Sequence, residues 1–195
     1  MDHLTFSFYE RDPVIVARDL LGKYLIHDTP EGQLIGKIVE VEAYGGLQDK
    51  GSHASRGITD RTQIMFDKPG FSYVYLIYGM HYCLNASAHI TGQAGAILLR
   101  ALEPIGGIEL MKKNRGKDSL RDLCSGPGKL CQALGVNKNH NGRQLIATPL
   151  RIAEGEPVTE DEIVATPRIN IDYAGEAKDW PWRFYIKGNL FISRK

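Results

Sequence analysis

Cysteine is scarce in this chain. Cys83, Cys124 and Cys131 are the only three among 195 residues. Odd in number and without a Cys-x-x-Cys pair, they argue against a disulfide framework and against a structural zinc site. A reducing intracellular setting follows as the expectation, cytoplasmic or nucleoid/nuclear. Long hydrophobic runs are missing too. No stretch reaches the roughly 18 apolar residues that cross a membrane. Met1-Asp2-His3-Leu4-Thr5-Phe6 lacks the basic start and apolar stretch of a secretion signal. No membrane partner is expected. Spaced histidine ligands are wanting as well: His81 and His89 have no ligand spacing and His53 stands alone in a polar loop, so no metal is expected.

Net charge is only +1 at pH 7, which excludes neither a small substrate nor nucleic acid. Its distribution is uneven. Lys112, Lys113, Arg115, Lys117 and Arg121 crowd one stretch, and Glu154, Glu156, Glu160, Asp161 and Glu162 another. One basic face suits a polyanion; the alternative is two solvated helical surfaces.

The pattern along the chain predicts an α+β fold: a single compact domain over 1–195, with a curved, mainly antiparallel β-sheet and surrounding helices. Asp12-Pro13-Val14 opens a helix that stops at Gly22. Residues 23–28 and 33–44 read as a hairpin. Residues 45–69 form a long polar loop, the kind that is usually functional or mobile. Strands follow at 73–78, 82–89 and 96–102, helices at 108–115 and 125–134, and strands at 144–152, 168–171 and 183–186. Thr159 caps a short helix.

Four features carry candidate chemistry. The first is Lys37-Ile38-Val39-Glu40-Val41-Glu42-Ala43-Tyr44. Strand alternation puts Val39, Val41 and Ala43 on one face, and Ile38, Glu40, Glu42 and Tyr44 on the other. Two acids beside an aromatic at a strand end are what a site for acid–base chemistry needs. The second is the tip Tyr78-Gly79-Met80-His81. Core packing accounts for Tyr73 and Val74 before it. It accounts poorly for bulky side chains at a turn, where an aromatic and a thioether resemble a wedge pushed between bases.

Arg100 is the third, in the otherwise apolar run Ala96-Ile97-Leu98-Leu99-Arg100-Ala101-Leu102. A guanidinium there needs a partner: Glu103 or Glu40 in a structural bridge, or Glu42 across a site. Asn85 poses the same choice between bonding a loop and reading a ligand edge. The fourth is Ser125-Gly126-Pro127-Gly128-Lys129-Leu130. A P-loop would need glycine at 123 and a hydroxyl residue at 130, where Leu123 and Leu130 stand. A glycine-rich helix start with Lys129 remains, able to hold one phosphate or simply to begin a helix.

Residues 36–44, the hairpin 73–85, Leu98-Leu99-Arg100-Ala101-Leu102-Glu103-Pro104 and Leu123-Cys124-Ser125-Gly126-Pro127-Gly128-Lys129-Leu130 together resemble the alkyladenine (3-methyladenine) DNA glycosylase family, from about residue 13 to 191. The resemblance implies excision of alkylated or deaminated purines from double-stranded DNA by a monomer, with no cofactor. It implies Glu42 as the base that activates water, helped by Arg100 and a backbone carbonyl within 168–170. Tyr44, His53, Tyr75, Asn85 and Ile169 are implied to contact the extruded base, with Asn85 disfavouring guanine. Tyr78, with Met80 and His81, is implied to fill the duplex from the minor groove, and Arg61 and Lys129 to contact phosphate. His81 stands where the family has a tyrosine, and Tyr173 where it has a histidine. Two other readings differ in class: a non-catalytic nucleic-acid-binding module, and a hydrolase of free nucleosides.

Overall fold

The computed structural model describes residues 2–194. Eight strands form one sheet: β1 (Tyr24–Thr29), β2 (Gly32–Tyr44), β3 (Ser72–Ile77), β4 (His81–Ser87), β5 (Ala96–Gly106), β6 (Leu150–Ala153), β7 (Ile163–Thr166) and β8 (Arg183–Ile186). Five helices accompany them: α1 (Phe6–Tyr9), α2 (Pro13–Leu20), α3 (Ile108–Arg115), α4 (Leu120–Leu123) and α5 (Pro127–Leu134). The main path runs β3-β4-β5-β2-β1-β6, and β8 joins β2 and β7. Every strand pairing is antiparallel, so the α+β reading holds.

β2 is the hub. β5 follows it along one edge from Ile35 to Tyr44. On the other edge β1 pairs with residues 32–37, and β8 takes over at Glu40–Glu42. The handover sits at Gly22, whose N–H donates to Ile38 O at 2.9 Å. Gly22 has φ +82°, and a Cβ there would lie 2.2 Å from Glu156 O, so the close approach requires glycine.

The helices cover one face. Val16, Ala17 and Leu20 of α2, Met111 of α3 and Leu130, Cys131, Ala133 and Leu134 of α5 pack on Val41, Ala43, Val74, Leu84, Ala86, Ile97 and Leu99. α2 starts as expected, with Asp12 Oδ1 accepting from Val14 N at 2.8 Å ahead of Pro13. The residues between the core positions, such as Tyr73, Asn85, Leu98 and Glu42, point to the opposite face. In register they form a row across five strands that ends at Arg183 of β8.

Several expectations need correction. Ile38 lies in the core with Val41 and Ala43, because the β2–β5 register is irregular between Ile38 and Val41. The far face of β2 is no solvent face: Glu40 and Glu42 are both fully buried. Residues 168–171 are not a strand, since Asn170 has φ +61°. The strand expected over 144–152 is confined to Leu150–Ala153, while β7 arises from pairing with β8. Both differences reflect partner strands overriding local preference.

The charge runs are largely occupied in internal links. Lys112 meets Glu109 at 2.8 Å, Lys113 meets Glu31, and Arg115 donates to Leu123 O at 3.1 Å. Glu154 and Glu156 pair with Lys23 and Lys37, each at 2.6 Å. Such exposed pairs contribute little stability. No helix of the described residues is long and apolar enough to cross a membrane.

Candidate active site

A cavity of about 580 Å³ opens on the sheet face away from the helices. Its floor is alternate residues of three strands: Tyr73 and Tyr75 of β3, Cys83 and Asn85 of β4, and Ala96, Leu98 and Arg100 of β5. Its rim comes from the loop carrying His53 and Arg61, from Ile169–Ile171, and from Tyr78 and His81 at the hairpin end. Period-two alternation thus sends apolar side chains into the core and polar or aromatic ones into the cavity.

Glu42 lies behind this wall rather than on it. Its Oε1 accepts the Ile169 N–H at 2.7 Å and faces Arg100 Nη1 at 3.2 Å. Its Oε2 accepts the Tyr44 hydroxyl at 2.7 Å. An ionised carboxylate has about four acceptor positions, so two hydrogen-bond donors and the Arg100 charge leave Oε2 with an open position. Tyr44, Arg100 and Ile169, which surround the carboxylate, all line the cavity. Burial, and then the Glu42 charge, push the Tyr44 hydroxyl far above its ordinary range, so it stays a donor.

The Ile169 amide is held by a second buried ion pair. Arg168 meets Asp49 through Nη1–Oδ2 at 2.6 Å and Nη2–Oδ1 at 2.8 Å. It also donates to Ala43 O at 3.0 Å and Ala177 O at 3.1 Å. Its guanidinium lies 4.7 Å from the Tyr44 ring centroid and 5.3 Å from that of Trp182. Asp49 further accepts from Gly45 N and Gly51 N, both at 2.9 Å. The turn that presents Ile169 to Glu42 is therefore tied to Ala43, Asp49 and Ala177, while the buried Arg168 Nε has no hydrogen-bond partner among the described residues.

Arg100 resolves the choice of partners by taking two. Its Nε meets Glu40 Oε1 at 3.1 Å while Nη1 reaches Glu42. Burial opposes its charge, but Glu42 and Glu40 outweigh that and raise its pKa. Glu103 instead accepts from Asn189 at 3.0 Å.

The aromatic wall is connected. The Tyr73 and Tyr75 rings are 5.2 Å apart, and His53 meets Tyr75 edge-on at 4.8 Å. The Tyr73 hydroxyl bonds His53 Nδ1 at 2.9 Å and accepts from Arg61 Nε at 3.0 Å. Burial, followed by the charges of Arg61 and Arg56, depresses the His53 pKa to about 4, so the imidazole is neutral at pH 7. Burial raises the Tyr75 hydroxyl far above its ordinary value. Asn85 Nδ2 donates to Tyr73 O at 3.0 Å, which anchors the amide in the floor.

At the hairpin end Tyr78 is 77% exposed and Met80 70%. Tyr78 has φ +53° and Gly79 φ +68°, and Met80 N donates to Ile77 O at 3.1 Å. Tyr78 and Asn170 are the only non-glycine residues of positive φ among the described residues, and both line the cavity. Strained backbone of this kind concentrates at functional sites. His81 packs on Gly128, where a Cβ would come within 3.0 Å of the His81 Cβ. The glycine-rich helix start thus serves close approach of α5 to the hairpin.

The two expected phosphate contacts are placed differently from the rest. Arg61 folds onto Tyr73 and lies 4.9 Å over the Tyr75 ring. Lys129 stands outside the cavity lining, 3.7 Å from Asp122 and 3.3 Å from Ser125 Oγ. The cavity also contains Asn170 and the 71% exposed Tyr173, from the segment the resemblance pointed to, and Tyr73, which the sequence reading had left to core packing. Asp49 and Arg183 were missed as well. Arg183 carries the same signal as Arg100, a guanidinium in an apolar strand; Asp49 carries none.

Comparison with known proteins places the chain in a family. Residues 7–190 match the family model described as methylpurine-DNA glycosylase (MPG). A protein of Alkaliphilus oremlandii is 50% identical over 97% of this chain and 98% of its own length. One of Carboxydothermus hydrogenoformans is 50% identical over 97% of both chains. One of Methanocella arvoryzae is 46% identical over 100% of this chain and 98% of its own. Each bears the name "Putative 3-methyladenine DNA glycosylase". With nearly the whole chain matched, the protein belongs to the methylpurine-DNA glycosylase family and is a hydrolase of N-glycosyl bonds in DNA.

Proposed function

We propose that this enzyme turns a damaged purine out of duplex DNA into the cavity and hydrolyses its N-glycosyl bond. The substrates are alkylated or deaminated purines of the 3-methyladenine type, with 7-methylguanine, hypoxanthine and ethenoadenine in the same class. The product is an abasic site. The observation that carries this reading is the environment of Glu42: a buried carboxylate held by two hydrogen bonds and an arginine, with an acceptor position open on Oε2, behind an aromatic cavity.

A base stacked in a duplex is out of reach at its sugar carbon, so it is extruded, as the general account of glycosylases holds. Tyr78, on a tip with Met80 and His81, enters the minor groove and fills the vacated stack. Tyr44, His53, Tyr75 and Ile169 contact the extruded base. Their aromatic faces attract a cationic alkylated purine beyond ordinary stacking. Asn85 crowds the exocyclic amine of guanine. Arg61 and Lys129 contact phosphate, Arg61 by leaving its place on Tyr75.

Bond cleavage sends the C1′–N electron pair to the purine and leaves positive charge on the sugar. Glu42 stabilises that charge. Water then bonds to C1′ and gives its proton to Glu42, through the free position of Oε2. Arg100 and the 168–170 backbone hold that water. A purine that is already cationic leaves without a protein acid, and neutral hypoxanthine or ethenoadenine takes its proton from a solvent water as the bond breaks. Glu42, a carboxylate and not an amine, forms no Schiff base, so the enzyme acts without cutting the strand.

Release of free purine from duplexes carrying each lesion, compared with release from the matching free nucleosides, tests the reading. Release from duplex DNA, weakening with salt as phosphate contacts require, is expected of the monomer. Equal rates on nucleosides would move the substrate to small molecules, and no release would leave a binding module.

A further inference from the structure

We propose that Glu40 is a positioning residue of this reaction: with Arg183 and Ser193 it holds Arg100 against Glu42 in a buried, charge-balanced cluster. The inference rests on the reading of Glu42 given above. Glu40 and Glu42 are two residues apart on one strand, and neither carboxylate is exposed. Two buried carboxylates so close repel, and one of them ordinarily takes a proton. Arg100 lies between them, with Nε 3.1 Å from Glu40 and Nη1 3.2 Å from Glu42. One arginine would leave a net negative charge. Arg183 Nε, 2.8 Å from Glu40 Oε1, restores neutrality.

The two carboxylates differ in how fully they are bonded. Glu40 Oε1 accepts from Arg100, Arg183 and Ser193 Oγ, the last at 2.8 Å, and Oε2 accepts the Ser193 N–H. Glu40 is saturated, whereas Glu42 keeps an open position. A guanidinium is a rigid planar fork. Held at Nε by Glu40 and at Nη2 by Ser193 Oγ (3.3 Å), Arg100 has its Nη1 directed at Glu42. The other groups around Glu42 are Tyr44 on its own strand, Tyr75 on β3, Cys83 on β4 and the Ile169 amide. None of them is charged at neutral pH, so Glu40 and Arg183 set the charge balance next to the reacting sugar.

The test is single-turnover purine release from damaged duplex DNA across pH for the wild type, Glu40→Gln and Glu40→Gln/Arg183→Gln. In Glu40→Gln the loosened Arg100 and an extra positive charge beside a cationic transition state lower kcat on the order of 100-fold, with KM unchanged. The uncompensated cation beside the site moves the acid limb of release to lower pH. The double variant removes one charge of each sign and returns the limb to the wild-type position. Misfolding alone would reduce the active fraction and leave the limb in place. Wild-type kcat with an unmoved limb in Glu40→Gln, or a limb still displaced in the double variant, overturns the inference while the proposed function stands. A wild type that releases no purine overturns both.

Discussion

The Ile169 N–H donates to Glu42 Oε1 across 2.7 Å, joining a loop late in the chain to a strand early in it. That contact depends on the Arg168–Asp49 pair immediately behind it, in which both side chains are buried. The site and the fold are therefore coupled at this loop.

Asp49→Ala exposes the coupling. It leaves the Arg168 guanidinium buried with only carbonyl partners, Ala43 and Ala177. Removing one member of a buried ion pair costs about 3–5 kcal/mol. Urea unfolding at neutral pH is expected to show that loss as a lower midpoint with an unchanged slope. A midpoint equal to the wild type's would mean that the pair does not hold the loop.

Tyr44→Phe removes the donor to Glu42 Oε2 and keeps the ring over Arg168. Losing a donor to the charged form of a carboxylate moves the acid limb of purine release to higher pH. The direction is opposite to that of Glu40→Gln. A full pH–rate profile of each variant reads both signs.

Tyr78→Gly separates strain from function. A tyrosine at φ +53° is held in a region that costs about 1–2 kcal/mol. Glycine relieves this and gives back about 0.5–1 kcal/mol through its freer unfolded chain. The variant is expected to be as stable as the wild type or up to about 1.5 kcal/mol more so. Its affinity for damaged duplex falls about tenfold or more, the worth of one lost aromatic–base stack. Thermal melts and a binding titration check the two halves independently.

His53 makes stability depend on pH. Its pKa is near 4 in the folded chain and about 6.5 when unfolded. Between these values the unfolded chain binds more protons, so stability is full above pH 6.5 and falls as pH drops towards 4. His53→Asn removes this dependence. Urea midpoints at pH 7 and pH 5 should fall further for the wild type than for the variant. Equal losses would remove His53 as the cause.

Much of the site was legible because strand alternation is a strong local signal. It placed Glu42 and Tyr44 on one face, and it marked Arg100 as a guanidinium needing a carboxylate. The exposed tip at Tyr78 followed from bulky residues at a tight turn. What was not legible depends on distant partners. The 168–170 turn takes its shape from Asp49, 119 residues away, and so reads falsely as a strand. On the second face the 193 segment lies against Glu40 and the Ile169 loop against Glu42, so their full burial comes from segments far along the chain. The basic run 112–121 looked like a binding face in part because Glu31, the partner of Lys113, lies 82 residues away.

The central claim is that Glu42 carries the hydrolytic step. Single-turnover release of 3-methyladenine from duplex DNA, measured together with binding of the same duplex, tests it for Glu42→Gln. The account predicts release at least about 100-fold slower than wild type, the range of general-base catalysis, with binding of the damaged duplex retained. Release at the wild-type rate would contradict it.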